Sequence, residues 1–180
     1  MTLYAILGMG LVFVGIVLVV NALWLLGHGS SRDVAMLNFF TGGLLFIMAM
    51  WWGIGQLWAF GEFTDGDAFT AAGTLLFSFT YLWIGANAIR GIEDQRSFGW
   101  FCICVTVIAI PTGYLVLTDV GDPGLAGLWW LWAVLWATFW VLLGIEKSEY
   151  NDPIAWFTAV TGLVSGAAGY LMAAGFWPWP

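Results

Sequence analysis

Residues 3–26, LYAILGMGLVFVGIVLVVNALWLL, decide the fold: they run 24 residues without an Asp, Glu, Lys, Arg or His. Such a helix, rising about 1.5 Å per residue, crosses a hydrocarbon core of ~30 Å, for which about 20 residues suffice. Five further stretches of this kind follow, near 34–58, 68–89, 98–117, 125–145 and 154–176. Short polar breaks separate them: GHGSSRD, GEFTDGD, RGIEDQRS, TDVGDPG and EKSEYND. Apolar residues occur all round each stretch, as they do in spans. No stretch alternates over ~10 residues as the strands of a membrane barrel do. The expected fold is therefore an all-α integral membrane protein, a bundle of six transmembrane helices. Nothing is left over for a soluble part, so residues 1–180 are expected to form one transmembrane domain.

Composition excludes the soluble classes. Of 180 residues, 62% are apolar, 18% aromatic and 8% charged, against roughly 45–50% apolar and about 25% charged in soluble domains. A chain of this size cannot hide so much apolar surface in a single core. With four Lys/Arg against eleven Asp/Glu, the net charge of −7 also excludes nucleic acid as a partner. The N-terminal run is too long for a signal peptide and lacks a basic n-region and a cleavage site, so it reads as a retained helix. Cys102 and Cys104 point about 200° apart on a helix and cannot bridge, so both read as buried small side chains.

Orientation follows from the positive charges. Arg32 lies in the first loop, Arg90 and Arg96 in the third and Lys147 in the fifth. The second and fourth loops carry only acids: Glu62, Asp65, Asp67, Asp119 and Asp122. The positive-inside rule places the odd loops in the cytoplasm and both termini outside. The Trp-Pro-Trp-Pro tail, Trp177 to Pro180, suits an anchor at the outer interface.

The spans hold no ionisable Asp, Glu, Lys, Arg or His; Arg90 and Glu146 stand at helix ends. Proton- and ion-coupled pumps need such groups inside the membrane. The single histidine, His28, sits in a Gly-rich loop and reads as solvated, which leaves no base for an intramembrane hydrolase and no haem ligand. No metal and no cofactor are expected.

Helix five carries the densest aromatic run, in which Trp129, Trp132, Trp136 and Trp140 fall within about 80° of one another. Helix three offers Phe79 and Trp83, again on one face. Membrane tryptophans cluster at the interfaces, whereas this stack runs through the middle of the span. It either lines a path for a small, planar, neutral solute or packs as core. An indole face suits such a solute, with an N–H at its edge; a bare ion would find neither an oxygen cage nor a charged ring. Asn21, Asn38, Asn87 and Glu146 lie toward the cytoplasmic ends, and form either a polar vestibule or helix-to-helix hydrogen bonds. Gly162 and Gly166 are spaced for close helix packing, and Pro111 is expected to kink helix four. Gly91-Ile92-Glu93 and Gly144-Ile145-Glu146 share an offset that also relates Phe79 to Trp132 and Trp83 to Trp136, a trace of repeated hairpins.

The chain resembles the AmiS/UreI family of urea and short-chain amide channels. The matching stretches are Leu11–Asn21 (LVFVGIVLVVN), Val34–Gly43 (VAMLNFFTGG), Leu75–Trp83 (LLFSFTYLW), the helix-four run ending at Pro111, and Trp136-Ala-Thr-Phe-Trp140 with Glu146 six residues on. The resemblance implies passive conduction of urea and small aliphatic amides through each protomer of a lipid-filled homo-hexamer. It further implies a multi-pass protein of a bacterial cytoplasmic membrane, functionally linked to a cytoplasmic urease or amidase. By motif match, Phe79 and Trp83 would be pore aromatics of helix three, and Trp129, Trp136 and Trp140 those of helix five, with Trp132 entering if the register moves by one step. Leu11 and Leu18 would help form the apolar constriction. Two departures stand out. The outer loops carry no histidine, so no acid gating is expected, and Thr161 occupies the place of a buried family glutamate. The alternatives are a non-conducting membrane scaffold or sensor and a proton-coupled amide transporter.

Overall fold

The computed structural model describes residues 3–55, 58, 61 and 64–179; Glu62 and Pro180 lie outside the described residues. Six long helices account for them: α1 (Leu3–Leu25), α2 (Ser31–Met50), α3 (Asp65–Arg90), α4 (Arg96–Leu115), α5 (Pro123–Phe139) and α6 (Asn151–Ala173). Three helices run on into π turns, at Trp51–Gly55 after α2, Val116–Val120 after α4 and Trp140–Gly144 after α5, and a 3₁₀ turn at Ser148–Tyr150 leads into α6. No strand occurs among the described residues. All six helices are long and apolar enough to cross a membrane.

Five helices start earlier than hydropathy alone indicates, two of them behind polar loop residues that serve as caps. Thr64 and Asp67 form a reciprocal capping box ahead of α3, with bonds of 2.9 and 3.2 Å. Asp122 caps α5 through the Leu125 N–H at 2.8 Å, and Pro123 occupies the first turn. Pro111 does not end α4, which continues to Leu115 and closes in the π turn.

The chain divides into two compact units, one of α1, α4, α5 and α6, the other of α2 and α3. In the first, α1 packs along α6 with backbone nearly touching backbone. A Cβ on Gly15 would stand 2.7 Å from the Gly162 carbonyl oxygen, one on Gly162 2.9 Å from the Leu18 Cβ, and one on Gly169 2.7 Å from the Leu11 Cβ. No side chain fits there. Lipid supplies no hydrophobic force between helices, so association relies on this close van der Waals contact. Asn151 adds a bond to the Leu25 carbonyl at 3.0 Å. Packing of α4 on α5 is similar: Gly113 faces Trp130, whose indole N–H donates to the Ile110 carbonyl at 3.2 Å. In the second unit Gly42 faces Leu82, and the Ser78 hydroxyl donates to the Gly42 carbonyl at 2.8 Å.

These three pairs are variations on one hairpin. The buried positions of α2, namely 34, 35, 38, 41, 42, 45, 48 and 49, recur 64 residues later in α4 and 120 residues later in α6. Trp52, Val116 and Met172 extend the pattern by one more buried position each. On the partner helices, Gly8, Leu11, Val14, Gly15, Val17 and Leu18 of α1 recur 118 residues later as Ala126, Trp129, Trp132, Ala133, Leu135 and Trp136 of α5, all buried. The same register in α3 runs Ala71, Thr74, Phe77, Ser78, Thr80 and Tyr81, of which only Thr74 is half-buried. A fixed helix crossing selects one stripe, so sequences that share only some residues, such as Thr41 with Thr161 and Gly42 with Gly162, keep the same burial.

The C-terminal tail folds back onto the start of α5. The Trp177 indole N–H donates to Asp122 Oδ2 at 2.8 Å, and its ring packs edge-on to that of Trp179 at 4.9 Å. Both rings lie against Gly124 at the start of α5. The Tyr4 hydroxyl bonds the same carboxylate, which is fully buried. One acid thus ties the start of α1, the start of α5 and the end of the chain.

Two outcomes follow for stability. Gly162→Leu should cost about 3 kcal/mol or more by overpacking, read as loss of the folded, monodisperse species in detergent. Asp122→Ala should cost about 1–2 kcal/mol, since it removes a cap and the acceptor of a half-buried indole N–H; Asp122→Asn, which keeps the cap, should lose less of the thermal midpoint.

Candidate permeation site

The α5 tryptophans are held by the same packing that pairs the helices. Trp129, Trp132 and Trp136 are buried, at 8%, 2% and 5% exposure, and Trp129 meets Trp132 edge-on at 5.5 Å. The Trp132 indole N–H donates to the Ser165 hydroxyl of α6 at 2.9 Å, and that hydroxyl donates to the Thr161 carbonyl at 2.7 Å. The Trp132–Ser165 bond ties α5 to α6. Trp140 differs from the other three. It opens the π turn, is half-buried, and packs edge-on to Trp100 of α4 at 6.0 Å, with its indole N–H buried and unbonded. Leu11 and Leu18 are buried along the α1–α6 seam, where their Cβ atoms face Gly169 and Gly162.

Helix α3 presents a different face from the one expected. Phe79 and Trp83 are 43% and 37% exposed, and Phe79 touches Phe46 at 6.5 Å. The aromatics that α3 buries are Phe77 and Tyr81, at 7% and 2%. The stretch FSFTYLW holds two i, i+4 aromatic pairs about 200° apart, and its composition does not choose between them. The missed signal is the register. The left-handed residue after α3 is Gly91 (φ 62°) and that after α5 is Glu146 (φ 57°), 55 residues on. The expected pairing of Gly91 with Gly144 is therefore two residues short. In the observed register Phe77 corresponds to Trp132 and Tyr81 to Trp136.

The polar residues separate in the same way. Asn21, Asn38 and Asn87 are buried, and the Asn38 amide donates to the Val34 carbonyl of its own helix at 2.9 Å. Glu146 is exposed in its turn, 4.0 Å from Arg96. Arg96 grips Asp94 through two bonds of 2.9 and 2.6 Å, which lowers the Asp94 carboxyl to about 2 and raises Arg96. Asp94 therefore keeps its charge across the physiological range. Cys102 is buried, but Cys104 is exposed, since two residues of helix turn it to the opposite face. Among the described residues no group of three His, Cys, Asp or Glu is placed to hold a metal ion.

With this geometry in hand, the chain can be set beside known proteins. The family model described as AmiS/UreI family transporter matches residues 6–175. A Mycolicibacterium smegmatis protein assigned as an amidate substrates transporter is 33% identical over 174 residues, covering 94% of this chain and 78% of its own. The acid-activated urea channel of Helicobacter pylori is 29% identical over 184 residues, covering 88% of this chain and 92% of its own. The cryo-electron microscopy structure of the Helicobacter pylori urea channel in a closed state superimposes with a TM-score of 0.81 at 26% identity, covering 95% of this chain and 99% of that one.

The two aromatic pairs of α3 should separate by mutation. Phe77→Ala should cost about 3–5 kcal/mol as a core truncation, and Phe79→Ala far less. Thermal unfolding of the two variants in one detergent checks the difference.

Proposed function

Since the chain belongs to the AmiS/UreI family of transporters, we propose that it is a passive channel for urea and short aliphatic amides. The observation that carries this reading is the buried stripe of Trp129, Trp132 and Trp136 on a helix without a charged residue. Flat indole walls with few hydrogen-bonding groups suit a planar neutral amide. By equivalence of register, the candidates on α1 are Leu11 and Leu18, and those on α3 are Phe77 and Tyr81 rather than Phe79 and Trp83. Trp140, turned to Trp100, would stand at its edge. Asn21, Asn38 and Asn87 would supply the polar groups toward the cytoplasmic side, with Glu146 at the exposed end.

Coupling to protons or sodium ions is disfavoured because the carboxylates of the described helices stand in their end turns and not in the middle of a span. Acid gating is disfavoured as well. The outer acids whose side chains are described act at helix ends: Asp67 in a capping box, Asp119 with Thr118 at 2.8 Å, and Asp122 in the tail clasp. We further propose a homo-hexamer in a bacterial cytoplasmic membrane, with both termini outside, delivering substrate to a cytoplasmic urease or amidase.

Stopped-flow measurements on proteoliposomes under urea and acetamide gradients, at outer pH 5 and 7.5, test this function. The expected result is rapid flux, equal at both pH values and indifferent to imposed proton and sodium gradients. Flux at pH 5 alone would restore acid gating, and no flux from assembled protein would favour a scaffold.

A further inference from the structure

Hydroxyls inside these helices have a partner close at hand, the carbonyl four residues back. Thr74, Thr80, Thr112, Thr158 and Ser165 all bond it, at 2.7–2.8 Å, and Thr106 bonds it at 3.1 Å. Thr41 and Thr161 do not. Both are fully buried, and neither hydroxyl has a hydrogen-bond partner. The two occupy the same position of the repeat, 120 residues apart, with Val105 at the third. A helical threonine divides between rotamers partly because one of them bonds this carbonyl. Here the bond is forgone twice, at equivalent sites. An unpaired buried hydroxyl costs about 1–3 kcal/mol, and native interiors leave few of them.

Thr161 has informative neighbours. Its own carbonyl accepts from Ser165, whose hydroxyl accepts from Trp132. Trp132 brings α5 against this face of α6. The side chain of Thr161 therefore holds one unspent donor and two unspent acceptors, one helical turn from the hydroxyl bound to the central tryptophan of the buried stripe. A neutral amide needs that combination: an acceptor for its N–H, a donor for its C=O, and a flat apolar wall.

We propose that the Thr161 hydroxyl is a selectivity-determining contact for the permeating amide, with Trp132 as the adjoining wall held in place by Ser165. This inference rests on the channel reading. Thr41 is the counterpart in the unit formed by α2 and α3. The hydroxyl weakens the empty protein and is satisfied when an amide passes, so removing it should help stability and harm selectivity together.

The test uses full-length protein in proteoliposomes, comparing wild type with Thr161→Val, Thr161→Ser and Thr161→Ala. Urea, acetamide and water permeabilities are measured by stopped flow, and the thermal midpoint in detergent. Thr161→Val keeps the shape and removes the hydroxyl. It should raise the midpoint and lower the amide-to-water permeability ratio about tenfold, the factor that a net hydrogen bond of roughly 1.4 kcal/mol carries. Thr161→Ser should retain the wild-type ratio. Thr161→Ala, which adds no bulk, should lower the ratio as Thr161→Val does. An unchanged ratio in the Val and Ala variants, with wild type conducting, would overturn the assignment and leave the hydroxyl to packing or to a buried water. Wild-type liposomes no more permeable to amides than empty ones would instead overturn the channel reading, and this inference with it.

Discussion

Two helices in lipid gain nothing from hiding apolar side chains from one another, because the acyl chains are just as apolar. What holds α1 to α6 is the approach of backbone to backbone at Gly15, Gly162 and Gly169, where a Cβ would collide. That contact sets the rotation of both helices. Once it is set, Leu11 and Leu18 are buried, and so are Thr161 and Ser165 on the neighbouring stripe. The other two pairs also bring glycine to the crossing, Gly42 against Leu82 for α2–α3 and, for α4, Gly99 against Gly144 in the turn after α5, while Gly113 meets the Trp130 indole. One packing constraint thus decides which side chains of six helices face inward.

Polar chemistry is distributed to suit that constraint. Full charges sit at helix ends, where they cap or pair. Asp122 gathers Leu125, Trp177 and Tyr4, and Asp94 is locked by Arg96. Between the ends only hydroxyls, amides and indole N–H groups remain, and most hydroxyls turn back to their own helix. An interior of this kind offers a charged solute no solvation and offers a neutral amide sparse, directional hydrogen bonds. The absence of charge and the spacing of the indoles both suit the neutral permeant proposed above.

Much of this was legible in the residues, though unevenly. The span count, the Trp129–Trp132–Trp136 stripe and the tight Gly162–Gly166 step follow from length and 3.6-residue spacing. Phe79 and Trp83 share the i, i+4 spacing of Phe77 and Tyr81, so spacing alone does not single out the pair that α3 buries. Only the helix rotation distinguishes the pairs. The exposure of Cys104 and the bond from Trp177 to Asp122 fifty-five residues away were not legible for a related reason: both depend on contacts distant in sequence. The hairpin echo was real but misregistered, since residue identity matched at Gly144 while backbone geometry matched at Glu146.

The sequence by itself determined the solvent, the number of helices and the uncharged character of their interior. These are sums over local composition, and a ~30 Å hydrocarbon slab reads them directly. Only the tertiary structure decided which stripe of each helix is buried, that three hairpins share one register, and that the end of the chain clasps the start of α5. An all-round apolar helix has no moment to orient it. Its rotation is settled where two backbones meet at glycine, and that meeting is a property of pairs of helices rather than of any one of them.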